Sequence, residues 1–130
     1  MTLEEIRNFF NNDRFAMGIG CHIDEAEPGR SVVSLNVEDR HLNGNNVVQG
    51  GVMFTLADIA CAVATCADGT ISVSADGTIS YFSAAKGKRL IAEATVLKKG
   101  RTLSYAEALI TDETGKKIAK ASFTMCRISG

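Results

Sequence analysis

The chain has 130 residues, 45% of them apolar and 22% charged, ordinary values for a soluble globular protein and enough length for one domain with its own core. Its 14 basic and 15 acidic residues leave a formal charge of −1, and no basic run offers the footprint of a nucleic-acid binder. The N-terminal stretch is acidic and amphipathic, not basic and then apolar, so it does not read as an export signal. A cytoplasmic setting with reduced thiols is expected.

Leu3, Ile6, Phe9 and Phe10 recur at helical spacing behind a Thr2–Glu5 pair that resembles a capping box, which predicts a short surface helix over 2–11. Two extended runs flank the turn Glu27-Pro28-Gly29-Arg30, and Val33, Leu35 and Val37 alternate with polar neighbours; this predicts a hairpin with one wet face. His22 and His41 read as surface or strand residues. An apolar run then predicts a long helix from about Gly51 to Ala67, with Ala57, Ala60, Ala62 and Ala64 permitting close approach. The run falls short of the ~20 residues a bilayer requires and would hold Asp58 near its centre, so a membrane span is rejected. Cys21, Cys61, Cys66 and Cys126 form no C-x-x-C pair, and Cys61 and Cys66 point about 140° apart on a helix. Neither a metal site nor a redox pair is expected; all four read as small core residues.

Four strand-like segments follow, over 71–85, 88–99, 101–113 and 116–129, separated by Lys86-Gly87-Lys88, Lys99-Gly100-Arg101 and Thr114-Gly115. Short connections predict an antiparallel meander, and Gly77 predicts a bulge in the first strand. One face of such a sheet must be covered, and the long helix is the only candidate. The expected fold is α+β: a curved antiparallel sheet of about six strands wrapped around one central helix, with a short N-terminal helix, as one domain over 1–130.

Asp58 is the only charge on the long helix before Asp68. Burying an unpaired carboxylate costs several kcal/mol or forces its pKa upward, and an acid held that way is a catalytic candidate. The alternative is an acid that reaches solvent or a polar partner. Gly50 and Gly51 supply a complementary part. N–H groups at a helix start lack intrahelical acceptors, the dipole makes that end electropositive, and glycine lets a ligand approach. A carbonyl becoming an oxyanion suits such a place, with the Gln49 amide beside it. The glycines could equally serve a tight turn. Gly50 and Asp58 lie about 12 Å apart along one helix axis, too far to share one carbonyl. A two-fold dimer with antiparallel central helices would bring Gly50 of one chain opposite Asp58 of the other.

Asn43-Gly44, then Gln49-Gly50-Gly51, then Thr55-Leu56-Ala57-Asp58 resemble the N-G-x(4)-H-G-G-x(3)-T/S-L-A-D signature of hotdog-fold acyl-CoA thioesterases of the PaaI type. Ile79-Ser80-Tyr81 and Lys99-Gly100-Arg101-Thr102 also look similar, so the resemblance covers nearly the whole chain. It implies hydrolysis of a thioester to a free acid and coenzyme A, without a cofactor or metal. By matching positions, Asp58 would be general base or nucleophile, the Gly50 N–H would polarise the carbonyl, and Asn43 would position water or thioester; Ser74, placed by counting back from Tyr81, would orient the water or is an ordinary strand serine. The family's histidine is replaced by Gln49, which can donate a hydrogen bond but cannot shuttle a proton near neutral pH.

Coenzyme A brings phosphates, so cations should lie near the mouth. Lys86, Lys88 and Arg89, and Lys98, Lys99 and Arg101, cluster at opposite ends of one strand. Gly100, Arg101 and Thr102 match the family's segment near the pantetheine and nucleotide, and Gly51, Val52, Met53 and Phe54 are expected at the pocket. Taken singly, each of these cations reads more readily as a solvated turn residue. The implied assembly is a homodimer or a homotetramer built from two dimers. A domain that binds acyl-CoA without hydrolysing it is the main alternative; a hydratase would carry a histidine motif before the helix that is not present, and a ligand-free structural homodimer is a further reading.

Overall fold

A computed structural model describes residues 1–130 as three α-helices and a six-stranded antiparallel sheet. The order is α1 (Leu3–Phe10), α2 (Arg14–Gly18), β1 (His22–Glu27), β2 (Arg30–Asn36), a 3-10 turn (Asp39–His41), α3 (Gly50–Cys66), β3 (Ile71–Tyr81), β4 (Arg89–Lys99), β5 (Leu103–Asp112) and β6 (Lys117–Ser129). Across the sheet the strands run β1-β2-β4-β5-β6-β3, and α3 packs against all six. This is the hotdog arrangement expected from the sequence. No helix is long and apolar enough to cross a membrane.

Local chemistry sets the ends of the elements. The Thr2 hydroxyl accepts from the Glu5 N–H at 3.1 Å, and the Glu5 carboxylate accepts from the Thr2 N–H at 2.9 Å, closing the capping box of α1. Helix α2 is too short to show a period, and only Asp13, which accepts from the Ala16 N–H at 3.0 Å, marks its start. The β1–β2 turn has Pro28 followed by Gly29 at φ 88°, the residue order of a type II turn.

Small side chains let helix and sheet approach. Ala94, Ala108 and Ala121 are cross-strand partners on β4, β5 and β6, all buried, and meet a helix face that buries Leu56, Ala57, Ala60 and Ala64. The Ser31 hydroxyl donates to the Ala60 carbonyl at 2.6 Å, so a buried polar group on β2 is satisfied by the helix itself. Ala62 is not part of this contact; it lies half-buried on the opposite face.

Four expectations need correction. The last four strands are not a meander: β3 pairs only with β6, while β4 lies between β2 and β5. Residues 82–85 leave the sheet, so the link from β3 to β4 exceeds the ~2–5 residues of a hairpin loop and crosses the sheet end. There the Phe82 and Ser83 N–H groups donate to the Ile118 carbonyl at 2.8 and 3.2 Å. Gly77 is not the bulge; the register shifts between Ser74 and Asp76, and Gly77 leaves room for the Phe123 ring, which a β-carbon there would strike. His41 is neither surface nor strand. It is 1% exposed, its Nδ1 accepts from the Glu38 N–H at 2.9 Å, and its Nε2 therefore donates to the Ile19 carbonyl at 2.6 Å. Finally, Cys126 is only half-buried, whereas Cys21, Cys61 and Cys66 are core residues as expected.

Candidate active site

The tip of α3 is built by the loop before it. The Asn43 side-chain oxygen accepts from the Asn45 N–H at 2.8 Å and the Val47 N–H at 3.4 Å, a local turn that the Asn43 N–H reinforces by donating to the Val47 carbonyl. The Gln49 N–H donates to the His41 carbonyl at 2.8 Å, which ties the last loop residue to the buried histidine's turn. Asn43 thus shapes the loop, and its side-chain oxygen is already engaged.

Gln49 is the N-cap of α3 and is extended, but its side chain makes no capping bond. It is exposed and lies over Gly51, where a β-carbon would stand 2.7 Å from its Oε1. Gly50 is the first helical residue, so its N–H has no intrahelical acceptor. The Gly50 carbonyl accepts from the Tyr81 hydroxyl at 2.9 Å. Tyr81 is the residue that sequence reasoning left without a role, although it ends a segment noted as familiar.

Asp58 lies two turns along α3 and is half-buried. Burial pushes its carboxyl above the ordinary 3.8, Ser74 partly offsets this by hydrogen bonding, and the Asp13 carboxylate adds a small upward push. Ser74 is on β3 in register with the buried Met125, on the face of the sheet turned to α3. Ser74, expected from the sequence only as a residue that orients water, thus lies on the same side of the sheet as Asp58. Cys61 is one turn further on, but burial, then Asp58 and Glu107, push its thiol up to about 12, so it is no nucleophile.

Asp58 does not face into the core. With Gly51, Thr55 and Ala62 it forms a stripe of half-buried or exposed residues along the side of α3 that the sheet leaves uncovered. Next to it, β3 has one free edge over its whole length from Ile71 to Tyr81, with Val73 and Tyr81 each 49% exposed. A long bare strand edge thus lies beside a bare helix stripe.

The expected substrate-side residues separate into two groups. Val52 is half-buried and Gly51 exposed at the tip. The turn holding Lys88 and Arg89 already binds an anion: the Glu113 carboxylate accepts from the Lys88 N–H at 3.0 Å and the Arg89 N–H at 3.4 Å. The Arg89 guanidinium donates to the Ser34 hydroxyl at 3.1 Å and lies 3.8 Å from Asp24. Lys99 closes the other end of α3, donating to the Thr65 carbonyl at 2.7 Å and the Thr70 hydroxyl at 2.8 Å, with Asp68 at 3.1 Å. Gly100 packs against the Leu103 carbonyl, and the Thr102 carbonyl accepts from the Arg127 N–H at 2.7 Å. Lys86 and Arg101 remain exposed.

Beside Gly50 runs an open groove of about 420 Å³, lined by Val47, Val48, Met53, Tyr81, Phe82 and the 83–85 loop. Its floor is solid core, since Val48, Met53 and Ala85 are each 3% exposed or less.

Comparison with known proteins gives the family. Residues 45–119 match the model of the thioesterase superfamily. The chain is 30% identical over 122 residues to the acyl-coenzyme A thioesterase PaaI of Escherichia coli, covering 93% of this chain and 87% of that one. It is 37% identical over 103 residues to acyl-coenzyme A thioesterase 13 of Homo sapiens, covering 76% and 74%. Among solved structures, the E. coli PaaI protein superposes with a TM-score of 0.90 at 29% identity, covering 95% and 91%. A hypothetical thioesterase protein of Streptococcus pneumoniae with coenzyme A gives 0.85 at 26% identity, covering 92% and 97%. The chain belongs to the thioesterase superfamily, as a hotdog protein of the PaaI type. By class it is a thioester hydrolase.

Proposed function

We propose that this single hotdog domain hydrolyses acyl-CoA thioesters at sites shared by two copies of the chain. Asp58 of one copy acts as general base for water, and the Gly50 N–H of the other receives the thioester carbonyl. The observation that carries the proposal is the placement of Asp58. It is desolvated enough to be more basic than an ordinary aspartate, yet it opens onto the uncovered stripe of α3 beside Ser74.

In this reading Asp58 takes a proton as water attacks the carbonyl carbon, and Ser74 helps to hold that water. The oxyanion forms at the electropositive tip of the partner's α3, where Gly50 and Gln49 offer donors. Its collapse breaks the carbon–sulfur bond, and the coenzyme A sulfur leaves to be protonated, giving a free acid and CoA. Water and the thioester suffice, with no cofactor. The relatives' names, and the pneumococcal structure that contains coenzyme A, support CoA as the thiol carrier. Lys86, Lys88 and Arg101, exposed and with side chains free of intrachain hydrogen bonds and ion pairs, are candidates to meet its phosphates.

Pairing two chains along β3 would cover the free edge and bury both α3 stripes, which supports a two-fold dimer as the smallest active unit. One observation favours a second reading: Gln49 cannot transfer protons, which suits a domain that binds acyl-CoA without cleaving it. Thiol release from a panel of acyl-CoAs, by wild type and Asp58→Asn, decides between them. Turnover lost in the mutant with CoA affinity retained supports hydrolysis; binding without turnover in both proteins supports the second reading.

A further inference from the structure

Only one asparagine of the chain, Asn43, is followed by glycine, and it stands in the loop that leads to the tip of α3. An asparagine side chain can react with the next main-chain nitrogen, because attack of that nitrogen on Cγ closes a succinimide ring. A side chain on the next residue hinders the approach, and glycine has none. Every other asparagine here is followed by a residue that does.

The loop favours this reaction at Asn43. The Asn43 Oδ1 accepts from the Asn45 N–H at 2.8 Å and the Val47 N–H at 3.4 Å, so donors are already in place for the charge that attack would build on that oxygen. Neither the Gly44 N–H nor the Asn43 side-chain nitrogen makes a hydrogen bond within the chain. The first is therefore free to lose its proton and the second free to depart. Gly44 is exposed, with nothing within 4 Å of the place a β-carbon would take, so the ring has room to form and water can reach it.

We propose that Asn43–Gly44 is a site of spontaneous deamidation, promoted by the loop, and that its conversion switches the enzyme off. The deprotonated Gly44 nitrogen bonds to Asn43 Cγ, and the carbonyl electron pair moves onto Oδ1. Its return breaks the Cγ–Nδ2 bond, and the nitrogen leaves as ammonia with the proton that Gly44 gave up. Water then opens the succinimide at one carbonyl to give aspartate, or at the other to give isoaspartate. Aspartate lacks the free amide donor of Asn43. Isoaspartate lengthens the main chain and breaks the turn in which the Asn43 N–H donates to the Val47 carbonyl at 2.8 Å and the Asn46 N–H to the Asn43 carbonyl at 3.0 Å. That turn shapes the approach to Gln49 and Gly50. The loss of turnover rests on the hydrolase reading; the modification does not.

The test is incubation of fresh protein at mildly alkaline pH, folded and unfolded in guanidinium, for wild type and Gly44→Ala. Peptide masses, isoaspartate content and turnover are read in the same samples. A methyl group at position 44 meets no neighbour, so the variant keeps the loop. Folded wild type is expected to exchange NH2 for OH at Asn43 at least about tenfold faster than at any other asparagine, and about tenfold faster than Gly44→Ala does. It should also react about tenfold faster than the unfolded chain, in which the two N–H donors are no longer held at Oδ1. Turnover of wild type falls in step with the conversion, while Gly44→Ala keeps its own starting rate. Conversion no faster in the folded chain than in the unfolded one would overturn the proposal, as would full conversion with turnover unchanged. Fresh protein without turnover would refute the hydrolase and leave the mass comparison to decide the modification.

Discussion

The Tyr81 hydroxyl donates to the Gly50 carbonyl at 2.9 Å, and a β-carbon on residue 50 would stand 2.8 Å from that same hydroxyl. Position 50 is therefore constrained by the space Tyr81 occupies and, in the proposed mechanism, by the N–H offered to substrate. Two substitutions separate these. Gly50→Ala introduces the clash but keeps the N–H, and should destabilise the fold by about 1–2 kcal/mol in urea unfolding, with Tyr81→Ala in the same chain restoring part of the loss. Gly50→Pro has the same clash and also deletes the N–H. Proline suits the first helical position, and Gln49 at φ −65°, ψ 138° already has the extended form a residue before proline adopts. Turnover of Gly50→Pro should lie about 100-fold or more below that of Gly50→Ala. Equal rates in the two would remove the N–H from the mechanism.

Asp58→Asn should lower kcat/KM by more than about 100-fold while leaving the protein at least as stable at neutral pH. The sign follows from the raised pKa. When the folded value exceeds the unfolded one, the fold penalises the ionised form, and the penalty develops as pH rises from 3.8 through the folded value. The stability advantage of Asp58→Asn should therefore be present at pH 7 and vanish below pH 3.8. A melting temperature clearly below wild type at pH 7 would contradict the desolvation account.

Ser74 gives that account a second handle. Its hydrogen bonding lowers the Asp58 pKa against the push of burial. In Ser74→Ala the acidic limb of the kcat/KM profile should move to higher pH, with stability nearly unchanged because Ser74 is exposed. An unmoved limb with a uniform fall in rate would make Ser74 a holder of water alone.

Much of this architecture was legible in the chain. The capping box, the hairpin turn and the apolar run of α3 are local signals, and each produced its element. The position of β3 was not legible, because a strand's neighbour depends on how the sheet must close over α3, and residues 82–85 look like strand until they leave it. The site divides in the same way. Gly50 and Asp58 stand out because a glycine pair and a lone acid violate the pattern of a buried helix. Tyr81 does not, since its partner is 31 residues away and only folding brings them together. His41 misled for the same reason: its partner Ile19 is distant in sequence, as are the Thr65 and Thr70 partners of Lys99.

Lys99 and Arg101, two residues apart, should behave in opposite ways. Lys99 satisfies the C-terminal end of α3, and Asp68 beside it, which burial alone would raise, is held below its ordinary 3.8 by Thr70 and Lys99. Lys99→Met should cost about 1–2 kcal/mol in thermal or urea unfolding and leave the Kd for CoA unchanged. Arg101→Ala should leave stability unchanged and weaken CoA, with the weakening largest at low salt. A loss of CoA affinity in Lys99→Met without loss of stability would return Lys99 to the substrate.

The shared site is tested most directly by mixing two dead proteins. Neither Asp58→Asn nor Gly50→Pro alone has an intact pair, but a mixed dimer has one complete site, formed by Gly50 of the first chain and Asp58 of the second. Equal amounts, exchanged to equilibrium and confirmed as mixed dimers by mass spectrometry, should regain about one quarter of wild-type turnover, since half the dimers carry one working site of two. No recovery in a sample that demonstrably contains mixed dimers would show that the two groups do not act on the same bond.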